Sequence, residues 1–338
     1  MACTPAQEEF QKNKVAKLIQ NSQSFIITTH KQCDADGLGS ALGMLYALKK
    51  IGKSARLLLV DDLPNRYNFL NQDLLVETYN SPHTPIEDTD VALIFDTNAE
   101  SLIQPLYKEL KKHCKHISFI DHHPFGDNLP TEYSFIKVNS ASTGELVFDL
   151  IKSLNIDLDK KIARSIYSSI AFDTQVFRYI RGSSRSLVIC AELLEYEKEP
   201  EKIHSYLFAS YSKDKIKLLS EVFAKVEYPC SEVVIAKVNL KDLKKHNLKM
   251  DDVRDILDFL MSINEIKIGA FFREDSTNEF KLSLRSKDYL YINHIAKLFG
   301  GGGHKQAAGA LLKGDYQKVK EQVLTEILKT LDTKKKAC

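Results

Sequence analysis

The sequence predicts an α/β protein in which a parallel sheet with helices on both faces is linked to a smaller mixed α/β C-terminal domain. Three observations carry this expectation. Short β-branched runs alternate with helical periodicity through roughly the first 195 residues. Several of those runs stop abruptly at acids and imidazoles. A charged stretch from Glu195 to Glu201, containing Pro200, breaks the composition before a second set of strands.

In order, the first domain (1–195) reads as helix 6–21, strand 24–29, helix 38–51, strand 55–60, strand 91–95, helix 101–113 and strand 116–120. A strand near 134–138 and helices at 143–155, 159–172 and 184–195 complete it. Asn80 to Asp90, with its prolines and acids, reads as surface loop. Residues 196–227 form a linker whose periodicity from 202 to 226 is helical. The second domain (228–332) has strands at 232–239, 266–273, 279–285 and 308–312 and a last helix from 315, and 333–338 is a solvated tail.

The ends of the apolar runs are chemically loaded. Ser24 to Thr29 leads into His30, Asp34 and Asp36; Val91 to Phe95 leads into Asp96; Ile117 to Ile120 leads into Asp121, His122 and His123. Downstream, Ile166 to Phe172 leads into Asp173. Taken singly, an Asp before a helix is as readily an N-cap, and Asp34 with Asp36 and Gly37 suits a turn. Their joint placement at strand ends, where open α/β sheets bind ligands, argues for a metal site instead. Carboxylates with a minority of imidazole suit Mn²⁺ or Mg²⁺ better than Zn²⁺, and their surplus suggests two ions.

With these motifs in view the chain resembles the DHH phosphoesterase family. The motifs are His30-x3-Asp34-x-Asp36-x2-Gly39-Ser40, Asp96-Thr97-Asn98, Asp121-His122-His123 and Asp173-Thr174, with Ser140 to Glu145 between the last two. The C-terminal part resembles the DHH-associated domain through Ser283-Leu284-Arg285-Ser286 and Phe299 to His304. Cys33 and Ala35 replace the Pro and Gly of many members without removing a ligand.

The resemblance implies one metal held by His30, Asp34 and Asp96 and another held by Asp36, Asp96, His122 and Asp173, with an active-site cleft between the domains. Asp121 would orient a ligating imidazole. His123 is the catalytic candidate, either meeting the phosphate or protonating the leaving oxygen. Arg285, Gly301, Gly302, Gly303 and His304 would bind substrate, and a helix beginning after the glycines would add free amides for an anion.

Composition narrows the function. A net charge of +2 offers no broad surface for a long duplex, so a nucleic-acid substrate should be short. The longest apolar stretch, Ala41 to Leu48, is far below a membrane span, and the N-terminus lacks a signal peptide's apolar core. Six scattered cysteines without paired spacings point to reduced thiols and a cytoplasmic protein. The two-domain plan most resembles the bifunctional oligoribonuclease/pAp phosphatase group of the family. That implies hydrolysis of short RNA to mononucleotides and of 3′-phosphoadenosine 5′-phosphate (pAp) to AMP, with two Mn²⁺ ions. A homodimer is compatible with this plan. The alternatives are a phosphodiesterase for cyclic or linear dinucleotides and, from another class, a nucleotide-binding module without activity.

Overall fold

The structure, a computed structural model, describes residues 3–80, 83–126, 128–209 and 211–335, without the side chains of 251, 304 and 333–335. The chain divides into two compact units, residues 1–210 and 211–338.

In the first unit, α1 (Pro5–Asn21) precedes β1 (Ser24–Thr29), α2 (Ala35–Lys50), β2 (Ser54–Leu59), β3 (Val76–Thr78) and β4 (Thr89–Phe95). Then come α3 (Leu106–His113), β5 (Cys114–Asp121), β6 (Phe135–Ile136), α4 (Thr143–Ser153), α5 (Lys160–Asp173), α6 (Arg185–Leu193) and α7 (Pro200–Phe208). The sheet order is β3-β2-β1-β4-β5-β6, and every pairing is parallel. Side chains alternate across each strand, so Phe25 and Ile27 join one core with α1, α2, α4 and α5, while Ile26 joins another with α3. Both faces are therefore buried, which explains why the strands read as unbroken apolar runs.

Local differences from the expected elements have simple causes. α2 starts at Ala35 rather than 38, because the Asp34 carboxylate caps the helix by accepting the amides of Asp36 (3.0 Å) and Gly37 (3.1 Å). The expected helix 101–113 is a 3₁₀ turn, Glu100–Ile103, followed by α3, with Pro105 at the break. β3 escapes sequence reading because its three residues are half-exposed and form no apolar run.

The expected linker helix is two helices, α7 and α8 (Lys213–Phe223). Ile203 of α7 packs in the first unit's core, and Leu218 of α8 packs in the second unit's. The second unit continues with β7 (Glu227–Cys230), β8 (Val233–Val238), α9 (Leu240–Lys245), α10 (Ile256–Met261), β9 (Ile268–Ser276) and β10 (Glu279–Ser286). It ends with α11 (Asn293–Leu298), β11 (Gly302–His304), β12 (Ala307–Lys313) and α12 (Tyr316–Lys335). The order β11-β12-β10-β9-β8-β7 makes a mixed sheet, parallel between β8 and β9 and otherwise antiparallel.

One expectation is corrected here. No helix follows the glycine run directly; Gly302–His304 is an edge strand pairing with Ala307 to Gly309. The glycines serve close backbone approach, since a Cβ on Gly301 would sit 2.1 Å from the Gly309 carbonyl oxygen.

Candidate metal centre

β1, β4 and β5 are neighbours and parallel, so their C-terminal ends open on the same edge of the sheet. That edge receives His30 after β1, Asp96 after β4, and His122 and His123 after β5. α2 brings Asp34 at its cap and Asp36 in its first turn, and Asp173 is the last residue of α5. Asp96 adopts a left-handed backbone (φ 61°) while its amide donates to the Ile120 carbonyl at 3.0 Å, which locks the strand end.

The donor atoms converge without touching. His30 Nε2 stands 3.8 Å from Asp34 Oδ1 and 3.4 Å from Asp96 Oδ2. His122 Nε2 stands 3.5 Å from Asp36 Oδ2, 3.6 Å from Asp96 Oδ1 and 3.5 Å from Asp173 Oδ2. Most of these distances are long for hydrogen bonds. Two donors each ~2.1 Å from one ion stand roughly 3.0–3.4 Å apart, close to the observed spacing. The two oxygens of Asp96 face different imidazoles, so this carboxylate is shared between the group with His30 and Asp34 and the group with His122 and His123.

Electrostatics also fit a cation. Asp36 and Asp96 are almost wholly buried, and Asp173 is 31% exposed. Burial, then the charges of Asp96, Asp173 and Asp34, hold Asp36 well above the usual carboxylate range. Burial and the charges of Asp96 and Asp34 push Asp173 up to about 8. Burial, with the charge of His123, pushes His122 down to about 3, leaving a neutral ring suited to ligation. Crowded carboxylates that resist ionisation beside neutral imidazole are what a divalent ion relieves. The donor set thus fits divalent cations: among the described residues His30, Asp34 and Asp96 form one group of potential ligands, Asp36, His122 and Asp173 another, and Asp96, His122 and His123 a third.

The role expected for Asp121 changes. Its Oδ1 lies 2.7 Å from Nδ1 of His123, whereas Nδ1 of His122 faces the Ser140 carbonyl at 3.1 Å. Asp121 therefore orients the second imidazole of the motif, and the main chain orients the first. Asn98 holds Asp121 in turn, donating to its Oδ2 at 2.7 Å. Burial opposes a charge on His123, but the bond to Asp121 and the charges of Asp121, Asp96 and Asp173 outweigh it, raising the ring to about 9. His123 is 39% exposed and forms a further cluster of donors with Asp96 and His122.

Several contributors were not singled out from the sequence. The amides of Thr143 (3.0 Å) and Gly144 (3.3 Å), at the start of α4, donate to Asp36, as does Ser169 Oγ at 2.5 Å. Thr143 Oγ1 donates to Asp96 Oδ1 at 3.0 Å. Glu145 braces the preceding turn by accepting from Ser140 Oγ, the Ala141 amide (3.3 Å) and Ser186 Oγ (2.5 Å). The segment Ser140 to Glu145 was the signal for Thr143, Gly144 and Glu145; nothing in the sequence marked Ser169, a helical serine 133 residues from Asp36.

Beyond Asp173 the chain makes an unusual turn. Gln175, Val176 and Phe177 are all left-handed (φ 47°, 55° and 66°), held by Val176 N–H to Ala171 O (2.8 Å) and Phe177 N–H to Thr174 Oγ1 (3.0 Å). Such conformations cost roughly 1–2 kcal/mol per residue and persist where surrounding structure enforces them.

In the second unit, Arg285 lies on β10 and is partly exposed; Nη1 donates to the Leu284 carbonyl at 3.2 Å, and Nε is 3.6 Å from Asp258. Gly301, Gly302 and Gly303 lie at or beside β11, and the side chain of His304 lies outside the described residues.

Comparison with known proteins extends these observations. A family model described as DHH family, N-terminal domain, matches residues 24–170, and a DHHA1 domain model matches residues 231–337. A protein named bifunctional oligoribonuclease and PAP phosphatase NrnA, from Mycoplasma genitalium, is 26% identical over 88% of this chain and 92% of its own. An uncharacterized protein of Mycoplasma pneumoniae, a homolog of MG371, is 31% identical over 75% of this chain and 76% of its own. The crystal structure of an exopolyphosphatase-related protein from Bacteroides fragilis superposes with a TM-score of 0.86 at 24% identity, covering 94% of this chain and 96% of that one, and so shares the fold.

Proposed function

The chain belongs to the DHH family, and from that premise we propose that it is a metal-dependent phosphoesterase hydrolysing short oligoribonucleotides to mononucleotides and pAp to AMP. The observation that carries the mechanism is the position of Asp96, whose two carboxylate oxygens face His30 and His122 in different clusters. We assign His30, Asp34, Asp36, Asp96, His122 and Asp173 as ligands of two divalent cations, with Mn²⁺ favoured and Mg²⁺ also suited to this oxygen-rich set. When bound, the ions supply Lewis acidity and a water acidic enough to ionise near neutral pH.

The protein's own residues do the rest. Asp121 and Asn98 fix the ring of His123 on the exposed side of the cluster, and in the metal-free protein the bond to Asp121 and the charges of Asp121, Asp96 and Asp173 raise it to about 9. From there it donates to the phosphate or to the leaving oxygen. The α4 amides and Ser169 keep the Asp36 carboxylate aimed inward. In the second unit, Arg285, Gly301, Gly302, Gly303 and His304 are assigned to substrate binding, Arg285 through a fork suited to phosphate. Among the described residues no helix is long and apolar enough to cross a membrane.

The test is purified protein stripped of metal and assayed with Mn²⁺ or Mg²⁺ against pAp, dinucleotides, five-residue RNA and cyclic dinucleotides. Metal-dependent release of AMP from pAp and of mononucleotides from short RNA is expected. Turnover confined to cyclic or linear dinucleotides would replace this reading with that of a dinucleotide phosphodiesterase. Full activity in the metal-free protein would overturn the mechanism.

A further inference from the structure

Arg181 lies eight residues beyond Asp173 and reaches back to the Val138 carbonyl. It follows the left-handed turn at Gln175, Val176 and Phe177 and is itself left-handed (φ 50°), with Gly182 after it (φ 72°). Two further bonds fasten this segment, Tyr179 N–H to Thr174 O at 2.9 Å and Ser183 N–H to Ile180 O at 3.0 Å. Backbone outliers clustered beside a site are a reason to ask what they deliver.

What the segment delivers is a cation. Arg181 Nη1 donates to the Val138 carbonyl at 2.5 Å, two residues from the Ser140 carbonyl that faces His122. Among the described residues it makes no other hydrogen bond and no ion pair. The guanidinium has five N–H groups, so one tether leaves four for a ligand. Arg181 is exposed, as Asp173 and His123 are in part, whereas Asp36, Asp96 and His122 form the buried floor. Its charge is felt by both His122 and Asp173, which supports the same placement.

We propose that Arg181 is a substrate-binding residue whose guanidinium, tethered to the Val138 carbonyl, receives a phosphate oxygen of the nucleotide entering from the exposed side of the centre. The proposal rests on the phosphoesterase reading. A planar fork pairs with two phosphate oxygens at once, and fixing one N–H beforehand reduces the freedom lost on binding. Arg178, only three residues earlier, differs because its guanidinium lies 5.4 Å from the Tyr179 ring centroid.

The simpler view is that Arg181 only pins the loop at Val138. Arg181→Gln keeps an N–H donor for that carbonyl without the charge, and Arg181→Lys keeps the charge without the fork. Each variant and the parent would be measured for Mn²⁺ affinity, for AMP binding to the Mn²⁺-loaded protein, and for kcat/KM on pAp. We expect unchanged Mn²⁺ affinity, AMP binding and kcat/KM lowered about 10- to 100-fold in Arg181→Gln, and partial recovery in Arg181→Lys. Parent-like AMP binding in Arg181→Gln would overturn the proposal, as would a parallel loss of Mn²⁺ affinity, which would make the role structural. If the parent turned over no nucleotide while AMP binding still depended on Arg181, the phosphoesterase reading would fail while the contact of Arg181 with a nucleotide phosphate would be upheld.

Discussion

Asp121 and His123, two residues apart at the end of β5, form a carboxylate–imidazole pair with Oδ1 2.7 Å from Nδ1. Asp121 is fully buried and His123 partly exposed, so the pair carries charge from the sheet's interior to the face a substrate would meet. A proton sits on that ring through neutral pH because the carboxylate, with Asp96 and Asp173, overcomes the cost of burial.

The first prediction tests that pair. In Asp121→Asn the His123 ring loses its largest favourable partner, so its pKa should fall from about 9 toward 6.5. The alkaline limb of the rate profile should move to lower pH, with turnover down about 10- to 100-fold. A profile identical to the parent's would remove His123 from proton transfer.

Asp96→Asn addresses the shared ligand. The amide can still accept from Thr143 Oγ1 but loses the charge that both clusters use. Activity should fall by more than about 100-fold, the upper range for groups that merely support a ligand. Titration with Mn²⁺ should show both sites weakened; loss of one site alone would contradict the bridging assignment.

His122→Ala and His123→Ala should separate. His122 is buried with Nε2 facing three carboxylates, whereas His123 is tied to Asp121 and partly exposed. The first substitution should lower metal affinity, and the second should leave it nearly intact while slowing turnover. Equal losses of affinity would place both rings on the metals, which the cluster of Asp96, His122 and His123 would permit.

The pH dependence of the metal-free protein has a definite sign. Asp173 (about 8 against 3.8 unperturbed) and His123 (about 9 against 6.5) both hold protons more tightly when folded. Between pH 6.5 and 9 the folded state therefore binds more protons than the unfolded chain, and stability falls as pH rises. His122, pushed down to about 3, is neutral in both states across most of that window. Thermal melts should show a falling Tm over this range without metal, and Mn²⁺ should stabilise more at pH 8 than at pH 6.5. A metal-free Tm that rises with pH would contradict the crowding of carboxylates.

Gly144→Ala should damage the centre from behind. A Cβ there would lie 2.2 Å from Ser169 Oγ, a group that donates to Asp36 together with the Gly144 amide. A loss of about 1–3 kcal/mol in stability is expected from such overpacking, with weaker Mn²⁺ binding alongside. Parent-like denaturation and metal titration would show that α4 and α5 can separate without cost.

How much of this was legible before folding depends on the range of each interaction. The apolar runs and their acidic and imidazole ends are local, so His30, Asp34, Asp36, Asp96, His122 and Asp173 could be picked out as candidates from the chain alone, whereas the cap at Asp34, which starts α2 three residues before the expected helix, could not. Parallel pairing of β1, β4 and β5 follows from the alternation of strands and helices, and it puts three of the loaded ends side by side. The partner of each ring could not be read. Asp121 is adjacent to His122 in sequence yet bonds His123, because successive side chains at a strand end diverge and the Ser140 carbonyl already faces His122. Ser169 and Arg181 have no sequence signature either; the packing of α5 against α2 and α4 brings Ser169 to Asp36, and a turn in a costly backbone conformation leads to Arg181, which bonds the Val138 carbonyl. The glycine run shows the same division. Its need for bare backbone was visible in composition, but whether it opened a helix or formed a sheet edge was decided by β12, whose backbone leaves no room for a Cβ at Gly301.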